Sequence, residues 1–193
     1  MSRAIAVVGV LASYPVAAEA PHRELGAHEH GRGTLNIAIE GSTMTMQLET
    51  PGVDIVGFEH AAKSPRDMEA VEKAKLQLMM PLTLFKLPPA AGCQVVEAKV
   101  EVEAHHDHDH TETAGAKGAE DSKAGAKSEG HSEFHAEYVF ECTSASNITT
   151  IEFGYFAAFA GAERLAVSVI TPKGQSTYEA ARANPRISLA GMM

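Results

Sequence analysis

Six consecutive residues, His105, His106, Asp107, His108, Asp109 and His110, alternate imidazole nitrogens with carboxylate oxygens. That donor set, carried on one short stretch, suits a borderline divalent cation, Zn2+ above all. The chain has ten histidines and no tryptophan, more imidazole than packing alone would place. The run is internal and interleaved with aspartate, which sets it apart from an affinity tag. Ordering such a loop around an ion costs conformational entropy, so the cluster predicts capture at modest affinity rather than tight storage.

Three further groups offer ligands. His28 and His30 flank Glu29, and in extended backbone their side chains project to the same side. His60 follows Phe58-Glu59, where on its own it reads as a polar loop residue. His131, Glu133, His135 and Glu137 share one face of an amphipathic run whose other face carries Phe134, Ala136, Tyr138 and Phe140. A rigid strand is where a preorganised site belongs. A zinc ion takes about four ligands at roughly 2.0–2.3 Å, so no one pair completes a site. The preferred scaffold site is the convergence of His28, His30, His60 and His135, with His131 as a further candidate.

These residues need elements to hold them. Leu35, Ile37 and Ile39 alternate with polar or small residues over 34–40, as do Met44, Met46 and Leu48 over 43–49, and Gly41-Ser42 joins the two runs as a hairpin. Pro51-Gly52 ends the second strand. Ser64-Pro65, with Asp67 in the first turn, starts a helix over about 65–80, in which Met68, Val71, Leu78 and Met79 recur at helical spacing. Residues 82–85 read as a short extended segment. Val96, Ala98, Val100 and Val102 alternate with charged residues, so two half-buried strands flank the histidine cluster. Extended runs follow at 148–153, 165–171 and around 176–178, with a small aromatic segment at 155–159. The fold class is α+β, mostly antiparallel β-sheet or sandwich with one main helix. Residues 104–130 hold six Ala, four Gly, six acids and three Lys but no large apolar residue, which predicts a disordered insert in the metal-free chain.

The 193 residues, 45% of them hydrophobic, are enough for one domain with a real core. Arg3, the apolar run 4–11 and the small residues Val16-Ala17-Ala18 have the layout of a cleaved signal peptide, residues 1–18, leaving a single domain from 19 to 193. Cleavage removes Arg3 and no acid, so the formal net charge moves from -9 to -10. An acidic chain attracts cations and repels nucleic acid and anionic membrane surfaces. No second apolar stretch can span a bilayer, so the mature chain is expected to be soluble in the periplasm, without membrane insertion. That compartment favours a disulfide between Cys93 and Cys142. Pairing those residues directly puts Phe134 opposite Glu101 and Phe140 opposite Val95, which mixes the two faces. Either a bulge intervenes or Cys93 lies outside the regular strand.

Other chemistries are poorly served. There is no Ser/His/Asp arrangement, phosphate-cradling glycine loop or HExxH motif, so the chain is expected not to be an enzyme. Met44 and Met46 could suggest copper, but both fall on the apolar face of the hairpin, and the other methionines lie on the helix or at the C-terminus. Core packing is the better reading of them.

His28-Glu29-His30-Gly31 leading into 35–39, Phe58-Glu59-His60, Leu87-Pro88 before Cys93, the histidine-rich insert, and Phe134-His135-Ala136-Glu137-Tyr138 before Cys142 resemble the ZrgA-type periplasmic zinc-binding proteins of proteobacteria. So do Phe156-Ala157-Ala158-Phe159, Thr171-Pro172-Lys173-Gly174-Gln175 and Asn184-Pro185-Arg186. The resemblance implies a role in zinc acquisition, with Zn2+ as the bound ion and components of a membrane zinc importer as partners. A periplasmic buffer or resistance protein for zinc or copper is the alternative, and an adhesion module with an incidental histidine loop is a third. The zinc solute-binding proteins of ABC importers are larger, two-lobed α/β proteins, and this chain is too short and too β-rich for that architecture.

Overall fold

The computed structural model describes residues 29–105 and 131–193. The expected signal peptide, His28 and the insert residues His106, Asp107, His108, Asp109 and His110 lie outside the described residues. Strand β1 (Arg32–Glu40) and β2 (Thr43–Pro51) form the expected hairpin around Gly41, whose φ of 60° suits glycine. The register sets Leu35 opposite Leu48, Ile37 opposite Met46 and Ile39 opposite Met44, and all six are buried. Burying each such side chain contributes roughly 1.5–3 kcal/mol.

A short helix, α1 (Gly52–Val56), follows β2 directly. Helix α2 (Pro65–Leu78) then begins as expected: Asp67 N–H donates to Ser64 Oγ at 3.1 Å, and Pro65 occupies the first turn. Its packing differs from expectation. Ala74 and Leu78 are buried, whereas Met68 and Met79 are 52% and 45% exposed. Helical spacing marks a face, but the helix lays only a narrow stripe on the core. Residues 82–85 also depart from the extended reading, because Pro81 starts one helical turn, α3 (Pro81–Leu84), before β3 (Phe85–Lys86).

Strands β4 (Cys93–His105) and β5 (His131–Cys142) flank the insert, and Cys93 and Cys142 form a disulfide. A bulge between Val95 and Glu97 resolves the parity conflict. Beyond it Ala98 faces Tyr138, Val100 faces Ala136 and Val102 faces Phe134, so the apolar faces coincide. Val96, which the alternation predicts to point inward, is the extra residue and lies 63% exposed.

The chain closes with β6 (Thr150–Phe153), the short helix α4 (Tyr155–Ala158), β7 (Arg164–Thr171), β8 (Gly174–Ala181) and β9 (Arg186–Ser188). The main sheet has the order β4-β5-β2-β1-β7-β8, antiparallel except for the parallel pair β1 and β7. A second sheet, β3-β6-β9, packs on its inner face, where Phe85 meets Tyr138 at 5.9 Å between ring centroids. Tyr155, Phe153, Phe156 and Phe159 complete one shared core. The α+β class with a mostly antiparallel, sandwich-like sheet is therefore the observed one. No helix among the described residues is long and apolar enough to cross a membrane.

Candidate metal centre

Antiparallel pairing brings distant histidines to one end of the main sheet. His105 ends β4 opposite His131, which begins β5, so the insert that carries the His/Asp cluster leaves and re-enters the fold at a histidine pair. The start of β5 also lies beside the end of β2, with Glu133 opposite Pro51. The loop after α1 and the turn before β1 reach this same end.

That turn is tightly held. Arg32 N–H donates to Glu29 O, Gly31 takes a φ of 79°, and Gly31 O accepts from Glu163 and Arg164 N–H. The Glu29 carboxylate pairs with Arg164 at 2.9 Å. Beneath the turn, Gly31 N–H donates to Asp54 Oδ1 at 2.7 Å. Asp54 is 3% exposed, and its other carboxylate oxygen has no hydrogen-bond partner among the described residues. Burial raises its pKa, while the Gly31 N–H and the nearby His30 pull it down. Gly161 lets the chain approach α1 here: a Cβ at that position would lie 2.7 Å from Asp54 Cα.

Held in this way, His30 meets Glu59. His30 Nε2 lies 2.8 Å from Glu59 Oε1, and His131 Nδ1 lies 2.6 Å from Glu59 Oε2. One carboxylate, 17% exposed, thus joins two imidazoles from opposite parts of the chain. The His131 contact is a hydrogen bond, which as N–H···O puts the proton on the Nδ1 facing Glu59, and the His30 contact is a close nitrogen–carboxylate pair that sets Nε2 against the same group. A neutral ring then presents its other nitrogen, Nδ1 of His30 or Nε2 of His131, as a lone pair. This is the arrangement by which carboxylates orient metal-binding histidines.

The other candidates are placed differently. His60 stacks on Phe58 with ring centroids 4.6 Å apart, and its Nδ1 lies 3.2 Å from Ala61 O. His135 Nε2 lies 3.3 Å from Glu133 and 3.8 Å from Glu103. His131 and His135 are four residues apart on one strand, about 13 Å along it, so they cannot share one ion. Glu59 joins His30 to His131, while the contacts of His60 are with Phe58 and Ala61 and those of His135 with Glu133 and Glu103. His28 and residues 106–110 lie outside the described residues, and of His105 only the backbone is described. Among the described residues, no three His, Cys, Asp or Glu side chains already surround one point as metal ligands.

Glu59 is absent from the sequence-derived candidates. The available signal is its place between Phe58 and His60 in a segment already singled out, but nothing local connects it to residue 131.

No curated protein matches the chain. The family model described as ZrgA family zinc uptake protein matches residues 27–189, which span the turn, both sheets and the insert. The chain therefore belongs to the ZrgA family of zinc uptake proteins.

Proposed function

We propose that the protein captures Zn2+ in the periplasm and passes it to a membrane zinc importer. The observation that carries this reading is the position of the insert. Its register brackets it with His105 and His131, and His131 is tied through Glu59 to His30. In this reading His105, His106, Asp107, His108, Asp109 and His110 raise the local concentration of Zn2+ beside the sheet. His30 and His131 then take the ion through the ring nitrogens turned away from Glu59, with His28 completing the set and Glu59 orienting both rings. The formal charge of -9 favours approach of the cation. Release follows from protonation of the imidazoles or from a partner offering better ligands, because a protonated ring has no lone pair for the metal.

Calorimetry at about pH 7.5, where free imidazole is neutral, tests the scaffold part of this reading. A full chain with the six cluster residues replaced by serine retains zinc heat, and further change of His30→Ala and His131→Ala removes the ion held there. Absence of any zinc heat once the cluster is replaced would reject the scaffold site. Induction of the protein by zinc starvation accompanies an import role, whereas induction only by zinc excess favours a buffer.

A further inference from the structure

The outer face of the β4–β5 hairpin carries donors in rungs. Inward of the His105–His131 pair, every second residue pair faces outward: Glu103 opposite Glu133, Glu101 opposite His135, and then Lys99 opposite Glu137. Rungs lie roughly 6.6–6.8 Å apart. Lys99 Nζ lies 3.0 Å from Glu101 Oε1, so a fixed positive charge closes the row. Glu49 of β2 stands opposite His135 on the other side.

His135 is the unusual member. Its Nε2 is inaccessible to solvent and makes no hydrogen bond among the described residues, although Glu133 Oε2 is 3.3 Å away and Glu103 Oε2 is 3.8 Å away. Those spacings differ in kind from the 2.6 and 2.8 Å contacts on Glu59. Two ligands of one tetrahedral ion, each bonded at about 2.0–2.1 Å, stand roughly 3.3–3.4 Å apart. A nitrogen and a carboxylate oxygen held at 3.3 Å are therefore spaced as neighbouring ligands of an ion. The Glu133 side chain is 8% exposed and that of Glu103 is 54% exposed, so the imidazole faces one buried and one solvated carboxylate.

We infer that His135, Glu133 and Glu103 form a second divalent-cation site on this face, one ion in addition to that of His30 and His131. The inference rests on the reading that this face takes zinc. One imidazole and two carboxylates, completed by water, are harder ligands than a pair of imidazoles, so this site holds Zn2+ less selectively against Mn2+. Placed two rungs from His131, it gives a captured ion a second stop along β5.

The test uses the full chain with the six cluster residues replaced by serine, dialysed against Zn2+ and analysed for bound metal. Two ions per chain are expected. His135→Ala removes one and spares the other, whereas His131→Ala removes the other and spares the first. In the unsubstituted protein, the His135 ring nitrogen resonance, assigned with His135→Ala, shifts on adding Zn2+ and still shifts in the His131→Ala variant. Unchanged metal content in His135→Ala, or a His135 resonance that does not move, overturns the inference and leaves the His30 and His131 site standing. A single ion lost in both variants overturns it as well. Zinc content that does not fall in His30→Ala/His131→Ala, with all bound zinc lost in His135→Ala, refutes the proposed capture site instead.

Discussion

The two ends of the β4–β5 hairpin are built from opposite materials. At one end Cys93 and Cys142 are covalently joined, a bulge corrects the register, and Phe140 lies fully buried. At the other, the paired residues are His105 and His131, and the nearest described side chains are imidazoles and carboxylates with polar atoms left over. The closed end puts its chemistry into stability and the open end does not. Strands of 13 and 12 residues let one hairpin do both, since rigidity established at the disulfide is carried along the sheet to the donors.

Substitutions should therefore separate the ends. Phe140→Ala at the closed end is expected to cost about 3–5 kcal/mol in denaturant unfolding, because it leaves a cavity in a packed face. Zinc content measured well below the transition should not change. Converting Cys93 and Cys142 together to serine should cost about 2–5 kcal/mol, again without loss of bound zinc. If zinc binding disappeared with the disulfide in a chain that remained folded by circular dichroism, the division of labour between the ends would be wrong.

Glu59→Gln should do the reverse. A glutamine side chain has one acceptor oxygen where the Glu59 carboxylate uses two, so only one of His30 and His131 keeps its orienting bond. Zinc affinity should fall about 10–100-fold, or roughly 1.4–2.7 kcal/mol, in a competition titration. Unfolding stability of the metal-free protein should fall by only about 0.5–1.5 kcal/mol, the net contribution of the one orienting bond lost.

The smallest effect concerns Asp54. Its carboxyl is held above the ordinary 3.8 by burial, so the folded chain binds this proton more tightly than the unfolded chain does. The resulting stabilisation is fully present below pH 3.8 and is lost as pH rises through the folded value. Asp54→Asn, measured by thermal unfolding across mildly acidic pH, should remove that decline. An unaltered pH profile would contradict it.

Much of this organisation is legible locally. The β1–β2 hairpin, the Ser64 cap and the alternation in β5 are written in neighbouring residues, and the parity conflict at Cys93 already requires either a bulge or a cysteine outside the strand. What cannot be read depends on distant closure. Nothing near Arg32 or Arg164 announces a parallel pairing across more than a hundred residues, and nothing near Arg186 marks β9, a strand of three residues in a second sheet. The site follows the same rule. Histidines are conspicuous in a sequence, so His30 and His131 are candidates from their type alone. Glu59 is one of many acids, and only the packing of α1 and the turn at Gly31 gives it two imidazoles. The exposure of Met68 and Met79 is likewise hidden, because helical spacing says which residues share a face but not how much of that face is covered.

The central claim is that the open end of the hairpin, and not the His/Asp cluster alone, holds zinc. Diffraction from the zinc-loaded full chain, recorded on both sides of the zinc absorption edge, addresses it directly. The account predicts an anomalous peak within bonding distance of His30 Nδ1 and His131 Nε2, with Glu59 still bridging the two rings. Anomalous density confined to residues 105–110, with His30 and His131 unchanged, would contradict it.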